Sequence, residues 1–186
     1  RRTHRQMKRL AEIDGLTGIS NRRHFTQRAE AALAAAARTR SAVSLIVFDL
    51  DWFKSINDHY GHATGDWVLC QVVAVCAPLL RAQDCFGRIG GEEFAVLSAD
   101  AGEEAGRTLA ERLRAAIAGI DARHGGARFN VSASFGIAVA AGEEGHDFDR
   151  LMARADEAAY VSKLGGRNRV SVWQGAVDAP TATAGR

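Results

Sequence analysis

Apolar positions along this chain follow two rhythms. Ser44–Asp51 is a continuous apolar run, rich in Leu, Ile and Val, ending in two aspartates, Asp49 and Asp51. A run of that kind predicts a buried central strand over Val43–Asp49. Two shorter runs between Cys85 and Ser98 flank Gly90-Gly91-Glu92-Glu93 and predict a hairpin with a glycine turn. Further strands are predicted over Phe129–Ala140 and Arg169–Trp173. The other rhythm is helical. It covers an alanine-rich stretch from about Asn21 to Thr39, a short helix from Trp52 to about Asp58, and longer ones over Gly65–Leu80, Glu103–Ala118 and Phe148–Leu164. In Glu103–Ala118, Leu109, Leu113, Ala116 and Ile117 share one face. The alternation predicts one α/β domain, a mixed central sheet with helices on both faces.

Candidate chemistry sits where the apolar runs stop. Glycine permits positive φ and lets another molecule approach the backbone, so a carboxylate beside Gly90-Gly91 can hold a divalent cation against a polyphosphate. A plain acidic hairpin is the alternative. Asp49 lies inside its apolar run at a strand end, where open α/β sheets place ligands. We expect the chain to turn after Asp49, leaving one of the two aspartates in the site. Asp51 suits the helix N-cap ahead of Trp52-Phe53-Lys54. A hard cation such as Mg²⁺ takes one or two protein carboxylates and completes its shell with water and phosphate. Asp49 and a hairpin glutamate supply that number, although spacing alone does not bring them together.

Four blocks in order resemble the GGDEF family of diguanylate cyclase domains. They are Asp14-Gly15-Leu16-Thr17-Gly18 through Arg23; Phe48-Asp49-Leu50-Asp51-Trp52-Phe53-Lys54 through Asn57-Asp58 and on to Gly61-His62-Ala63-Thr64-Gly65-Asp66; Gly90-Gly91-Glu92-Glu93-Phe94, with Glu in third place; and Ala155-Asp156-Glu157-Ala158-Ala159-Tyr160, then Lys163 and Gly166-Arg167-Asn168. The resemblance implies a nucleotidyl-cyclase relative of the ferredoxin-like plan that joins two GTP into cyclic di-GMP, releasing two pyrophosphates. It implies that Asp49, the Leu50 carbonyl and Glu92 hold Mg²⁺, for which Mn²⁺ can substitute, with Glu93 a further ligand. Glu92, Glu93 and Lys54 are its catalytic positions, Glu92 taking the ribose 3′-hydroxyl proton. Asn57 and Asp66 match guanine readers. His62, Phe53 and Gly91 match further substrate contacts, and Lys54, Lys163 and Arg167 match groups facing the triphosphate. Arg81 and Asp84 match an inhibitory Arg-x-x-Asp site for the product. A homodimer is implied, since each domain carries one set of GTP-binding residues.

The residue types suit that chemistry. A transferring phosphoryl group needs its spread charge neutralised, and an attacking hydroxyl needs a proton acceptor. A carboxylate at Asp66 accepts from guanine's N1–H and amine together, whereas adenine offers an acceptor at N1. Singly, each residue has a plainer reading: Lys54 a solvated helix lysine, Lys163 and Arg167 a basic helix end, His62 a turn residue, Arg81 and Asp84 a helix end and a turn. A cyclic di-GMP receptor without turnover, or a GTP-binding regulatory module, stands as the alternative function, disfavoured because the signature carboxylates are all present.

Composition narrows the partners. With 24 Lys and Arg against 22 Asp and Glu in 186 residues, nothing argues for a nucleic-acid groove binder. Three cysteines without zinc spacing fit a reducing, cytoplasmic setting, and Cys70 and Cys76 read as core. The basic opening from Arg1 is expected to be the end of an upstream signalling helix over residues 1–13, with a sensor or membrane segment ahead of it. The catalytic domain is expected over 14–173 and a disordered tail over 174–186.

Overall fold

A computed structural model describes residues 12–141 and 147–175. Most of the expected upstream helix and tail lies outside them. In chain order the elements are β1 (Ser20–Asn21), α1 (Arg22–Thr39), β2 (Val43–Leu50), α2 (Phe53–Tyr60), α3 (His62–Cys76), a 3-10 turn (Ala77–Leu79), β3 (Cys85–Arg88), β4 (Glu93–Ser98), α4 (Glu103–Ala118), β5 (Ala122–His124), β6 (Ala127–Phe129), β7 (Ala133–Ala140), α5 (Phe148–Leu164) and β8 (Val170–Val172). Six strands form one mixed sheet, in the order β1-β3-β4-β2-β7-β8. β2 is central and antiparallel to both neighbours; β1 lies parallel to β3 and β8 parallel to β7. This is the expected fold class.

The apolar run of β2 is continuous because both of its faces are covered. Ile46, Phe48 and Leu50 point to a core shared with α2, α3 and α4, while Val43, Leu45 and Val47 point to one shared with α1 and α5. Phe48 stacks between Phe94 and Phe135, ring centres 5.2 and 4.6 Å away, across three adjacent strands. Asn21 caps α1 by accepting from the His24 N–H, and Asp147 caps α5 by accepting from the Arg150 N–H. α5 lies almost on the β7 backbone: a Cβ on Gly136 would collide with the Ala155 carbonyl and Ala159 nitrogen. Burial pushes the Cys76 thiol up to about 12, in keeping with a core role.

Several expectations shift. β2 continues through Leu50, because Leu50 still pairs with Ala133; the turn follows Leu50 rather than Asp49. α3 begins at His62 and ends at Cys76, Pro78 lying in the 3-10 turn that follows. The predicted strand from Phe129 is two elements: a hairpin, β5–β6, turning at Gly125-Gly126 with φ of 56° and 84°, and then β7. That hairpin is fixed by stacking of Phe129 on Tyr60, 4.5 Å between ring centres, and by a 2.9 Å hydrogen bond between Thr64 and His124. Among the described residues no helix is long and apolar enough to cross a membrane.

Candidate active site

The turn between β3 and β4 lies against the end of β2. Asp49 is paired opposite Glu93, and the Leu50 N–H donates to the Glu92 carbonyl at 3.2 Å. Asp49, the Leu50 backbone and both glutamates are therefore neighbours, a proximity that sequence spacing left open. The turn closes on itself through the Ile89 and Gly90 N–H groups, which donate to the Glu93 carbonyl. Neither Gly90 nor Gly91 has positive φ, so the glycines do not serve the conformational role expected of them. Gly90 is needed for space, since a Cβ there would strike the Glu93 carboxylate; a Cβ on Gly91 would point into the open.

A cleft of about 310 Å³ opens beside this turn, with Asp49, Glu93, Asp156, Tyr160 and Lys163 among its walls. Lys163 reaches across it to Asp49 at 3.1 Å. The carboxylates crowd one another. Burial raises the Asp49 pKa, Lys163 opposes that, and Glu93 and Asp51 add to it. Burial and then the Asp49 charge raise Glu92, with Lys163 opposing. Asp156 is raised by desolvation in the cleft wall and by Glu93, against Arg22 and Lys163. Crowded, partly desolvated carboxylates are a donor set that a hard cation relieves, so the residues fit a hard divalent cation. Among the described residues no group of three or more His, Cys, Asp or Glu side chains converges as a metal cage.

The positions expected to read guanine lie along α2 and α3, whose junction is Gly61 at φ 84°. Asn57 is half-buried on α2, and a Cβ on Gly65 would overlap its side-chain oxygen. His62 and Asp66 are exposed on the first turns of α3. Phe53, expected as a further substrate contact, has its ring packed in the core. Lys54 is 91% exposed and reaches Asp58 at 3.8 Å. Arg167 lies over the Trp52 ring, 3.9 Å from its centre.

Asp51 also departs from expectation. It is not the α2 cap; Trp52 takes that position at φ 58° without a side-chain capping bond. The Asp51 carboxylate is buried and accepts from Ser132, Ser134 and the Asn168 N–H. Asp84 is likewise turned inward, accepting from the Arg81 N–H at 2.8 Å and the Ser98 hydroxyl at 3.0 Å. Arg81 remains exposed beside a groove of about 500 Å³ that includes Arg28, Leu80 and Phe86.

Three contributors were not singled out in the sequence. Arg88 donates to the Gly91 carbonyl at 2.7 and 3.1 Å and to Asp14 at 3.1 Å, bracing the turn against the chain's first described loop. Asp14 in turn accepts from the Thr17 N–H and hydroxyl. Asp156 stands seven residues before Lys163 on α5, two turns along one face, a spacing that could have marked it.

Comparison with known proteins bears on the whole assembly. The family model described as "Diguanylate cyclase, GGDEF domain" matches residues 11–169. The chain is 39% identical to the response regulator PleD of Caulobacter vibrioides (strain NA1000 / CB15N) over 163 residues, 87% of this chain and 36% of that protein. It is 38% identical to the diguanylate cyclase DgcS of Shewanella oneidensis over 165 residues, 89% of this chain and 54% of that one. It therefore spans only about a third to a half of these curated relatives. Among solved structures, the coiled coil and GGDEF domain of DgcB from Caulobacter crescentus, in complex with c-di-GMP, superposes with a TM-score of 0.85 at 32% identity, covering 92% of this chain and 91% of that one. The active GGEEF domain of a diguanylate cyclase from Vibrio cholerae gives 0.77 at 32% identity, covering 83% and 97%. On sequence, fold and the order of its motifs, the chain belongs to the GGDEF domain family.

Proposed function

We propose that this domain condenses two GTP molecules into cyclic di-GMP and two pyrophosphates. The observation that carries the reading is the meeting of Asp49 and the Glu92-Glu93 turn in one cleft with Lys163. The neighbour described as active has the GGEEF form of the signature, the form present here. Asp49, the Leu50 carbonyl and Glu92 would hold Mg²⁺ or Mn²⁺, with Glu93 beside them. When bound, that ion supplies charge neutralisation for the triphosphate.

This chain's residues do the remainder. Glu92, with its pKa raised by burial and by Asp49, is a stronger base than an ordinary glutamate and takes the 3′-hydroxyl proton. The 3′-oxygen then bonds to the α-phosphorus of the other nucleotide, and the bond from that phosphorus to the bridging oxygen breaks, releasing pyrophosphate. Lys163, Arg167 and Lys54 face the departing charge. Asn57 and Asp66 select guanine, Asp66 by accepting from N1–H and the amine, and His62 makes a further substrate contact. Arg81 stacks on and grips the product at the inhibitory groove. Asp84 serves there by shaping the turn, since both of its oxygens are engaged.

Each 3′-hydroxyl must attack the other nucleotide, so two domains face each other about a two-fold axis. Holding the nucleotides in line supplies much of the rate. The test is GTP turnover with Mg²⁺ across a hundredfold range of protein concentration, the product identified by mass. Cyclic di-GMP with specific activity rising with concentration is expected. Binding of cyclic di-GMP without turnover would make the domain a receptor instead.

A further inference from the structure

We propose that Asp51 is a positioning residue: its buried carboxylate holds the loop after α5 so that Arg167 is presented over Trp52 at the rim of the site. This rests on the triphosphate role proposed above for Arg167.

Asp51 is 6% exposed and joins three separate parts of the chain. Its Oδ2 accepts from the Ser132 hydroxyl at 2.7 Å and from the Asn168 N–H at 3.0 Å; its Oδ1 accepts from the Ser134 hydroxyl at 2.6 Å. Its own N–H donates to the Ser132 carbonyl at 2.8 Å. Hydrogen bonds to an ionised acceptor are the stronger kind, and a buried carboxylate needs them to offset lost hydration.

The loop they hold does not adopt its shape for nothing. Gly166, Arg167 and Asn168 have φ of 111°, 65° and 43°, three successive residues in the left-handed region, two of them not glycine. Trp52, directly after Asp51, is left-handed as well at 58°. Such conformations persist only where surrounding contacts impose them, and they gather at functional sites. Among the other bonds on the loop, the Arg167 N–H donates to the Ser162 carbonyl, and Arg114 donates to the Asn168 side chain. Neither reaches Trp52 or β2. Asp51 alone among these anchors ties the loop to the segment that carries Asp49. Two aspartates two residues apart thus grip the two ends of 163–168, Asp49 through Lys163 and Asp51 through Asn168. The result is a guanidinium laid 3.9 Å from the centre of a ring that is itself 65% exposed, rather than one free in solvent.

The substitution that tests this is Asp51→Asn, which keeps the shape but removes the charge and turns an amide toward groups that donate. Its effect is read by binding of 3′-deoxy-GTP, which lacks the attacking hydroxyl, in the parent and in Arg167→Ala. If Asp51 acts through Arg167, Asp51→Asn should weaken binding about tenfold in the parent and less than about twofold in the Arg167→Ala background. Equal losses in both backgrounds, or a lowered melting temperature with binding unchanged, overturn the proposal. Should Asp51→Asn not fold, Ser132→Ala removes one of the same bonds at a half-buried hydroxyl; the same non-additivity, at about threefold, is then expected, and additivity counts against it. A parent that binds 3′-deoxy-GTP but makes no cyclic product from GTP sinks the cyclase reading while the coupling between Asp51 and Arg167 is still measured. A parent that binds no guanine nucleotide sinks both.

Discussion

Two sets of carboxylates stand within this one domain, and their surroundings are opposite. Asp14, Asp51 and Asp84 each accept hydrogen bonds from two or three donors fixed in the frame. Asp49 and Asp156 line the cleft and Glu92 stands beside it; all three repel their neighbours and have raised pKa values, with Lys163 the basic group common to them. The satisfied set shapes turns and loops. The crowded set is poorly compensated by the protein itself, which is how a site built for an external charge differs from one that is finished without it.

The largest effect should come from the crowded set. Glu92→Gln removes a charge and the proton acceptor, and turnover of GTP should fall about 10²-fold or more, with the melting temperature unchanged or slightly raised. Near-parental turnover would remove Glu92 from the chemistry. Asp66→Ser should cost about tenfold or more in preference for GTP over ATP, measured as a ratio of kcat/KM, because a site that accepts from guanine's donors rejects a base lacking them. Undiminished rejection of ATP would place guanine recognition elsewhere. Arg81→Ala should abolish cyclic di-GMP binding outside the cleft and relieve product inhibition, read by calorimetry and by turnover with added product; unchanged stoichiometry would leave the groove without that role.

The satisfied set should answer in stability instead. Asp14→Ala leaves the Arg88 guanidinium, 16% exposed, without its charged partner and should cost about 2 kcal/mol in denaturant unfolding. The smallest effect is a divergence with pH. Burial pushes Asp14 up, but the bonds from Thr17 and Arg88 outweigh it and hold the carboxyl below its usual value. Its stabilisation is present above the unfolded pKa of about 3.9 and is lost as pH falls through the lower folded value. Asp49 and Glu92, raised when folded, do the reverse: their cost is present at neutral pH and disappears as pH falls through their folded values. From neutral pH down to about 4, turnover should therefore fall while unfolding free energy holds or rises slightly. Parallel loss of both would erase the distinction between the two sets.

That distinction was only half legible in the sequence. β2, the β3–β4 hairpin and all five helices, α3 with shifted ends, could be read from periodicity, because packing on both sheet faces agrees with local preference. Asp49 and the glutamates stood out because charges end apolar runs. Asp51 reads as a cap by position, and only the fold brings Ser132, Ser134 and Asn168 to it from far along the chain. The same holds for Arg88 and Asp14, 74 residues apart. The β5–β6 hairpin was missed for a different reason: its Gly125-Gly126 turn signal was in view, but Phe129 invites a longer strand when its stacking on Tyr60 is unknown.

In mechanical terms, Arg88 is a strut. One guanidinium spans from Asp14, at the head of the domain, to the Gly91 carbonyl at the tip of the signature turn. A pull or twist arriving along the chain at Asp14 need not travel through the sheet to be felt at Glu92. It either carries the turn with it or breaks an ion pair that is largely shielded from water. The tip of the hairpin is thus tied by one side chain to the domain's first loop, in addition to the backbone bonds that hold it to β2.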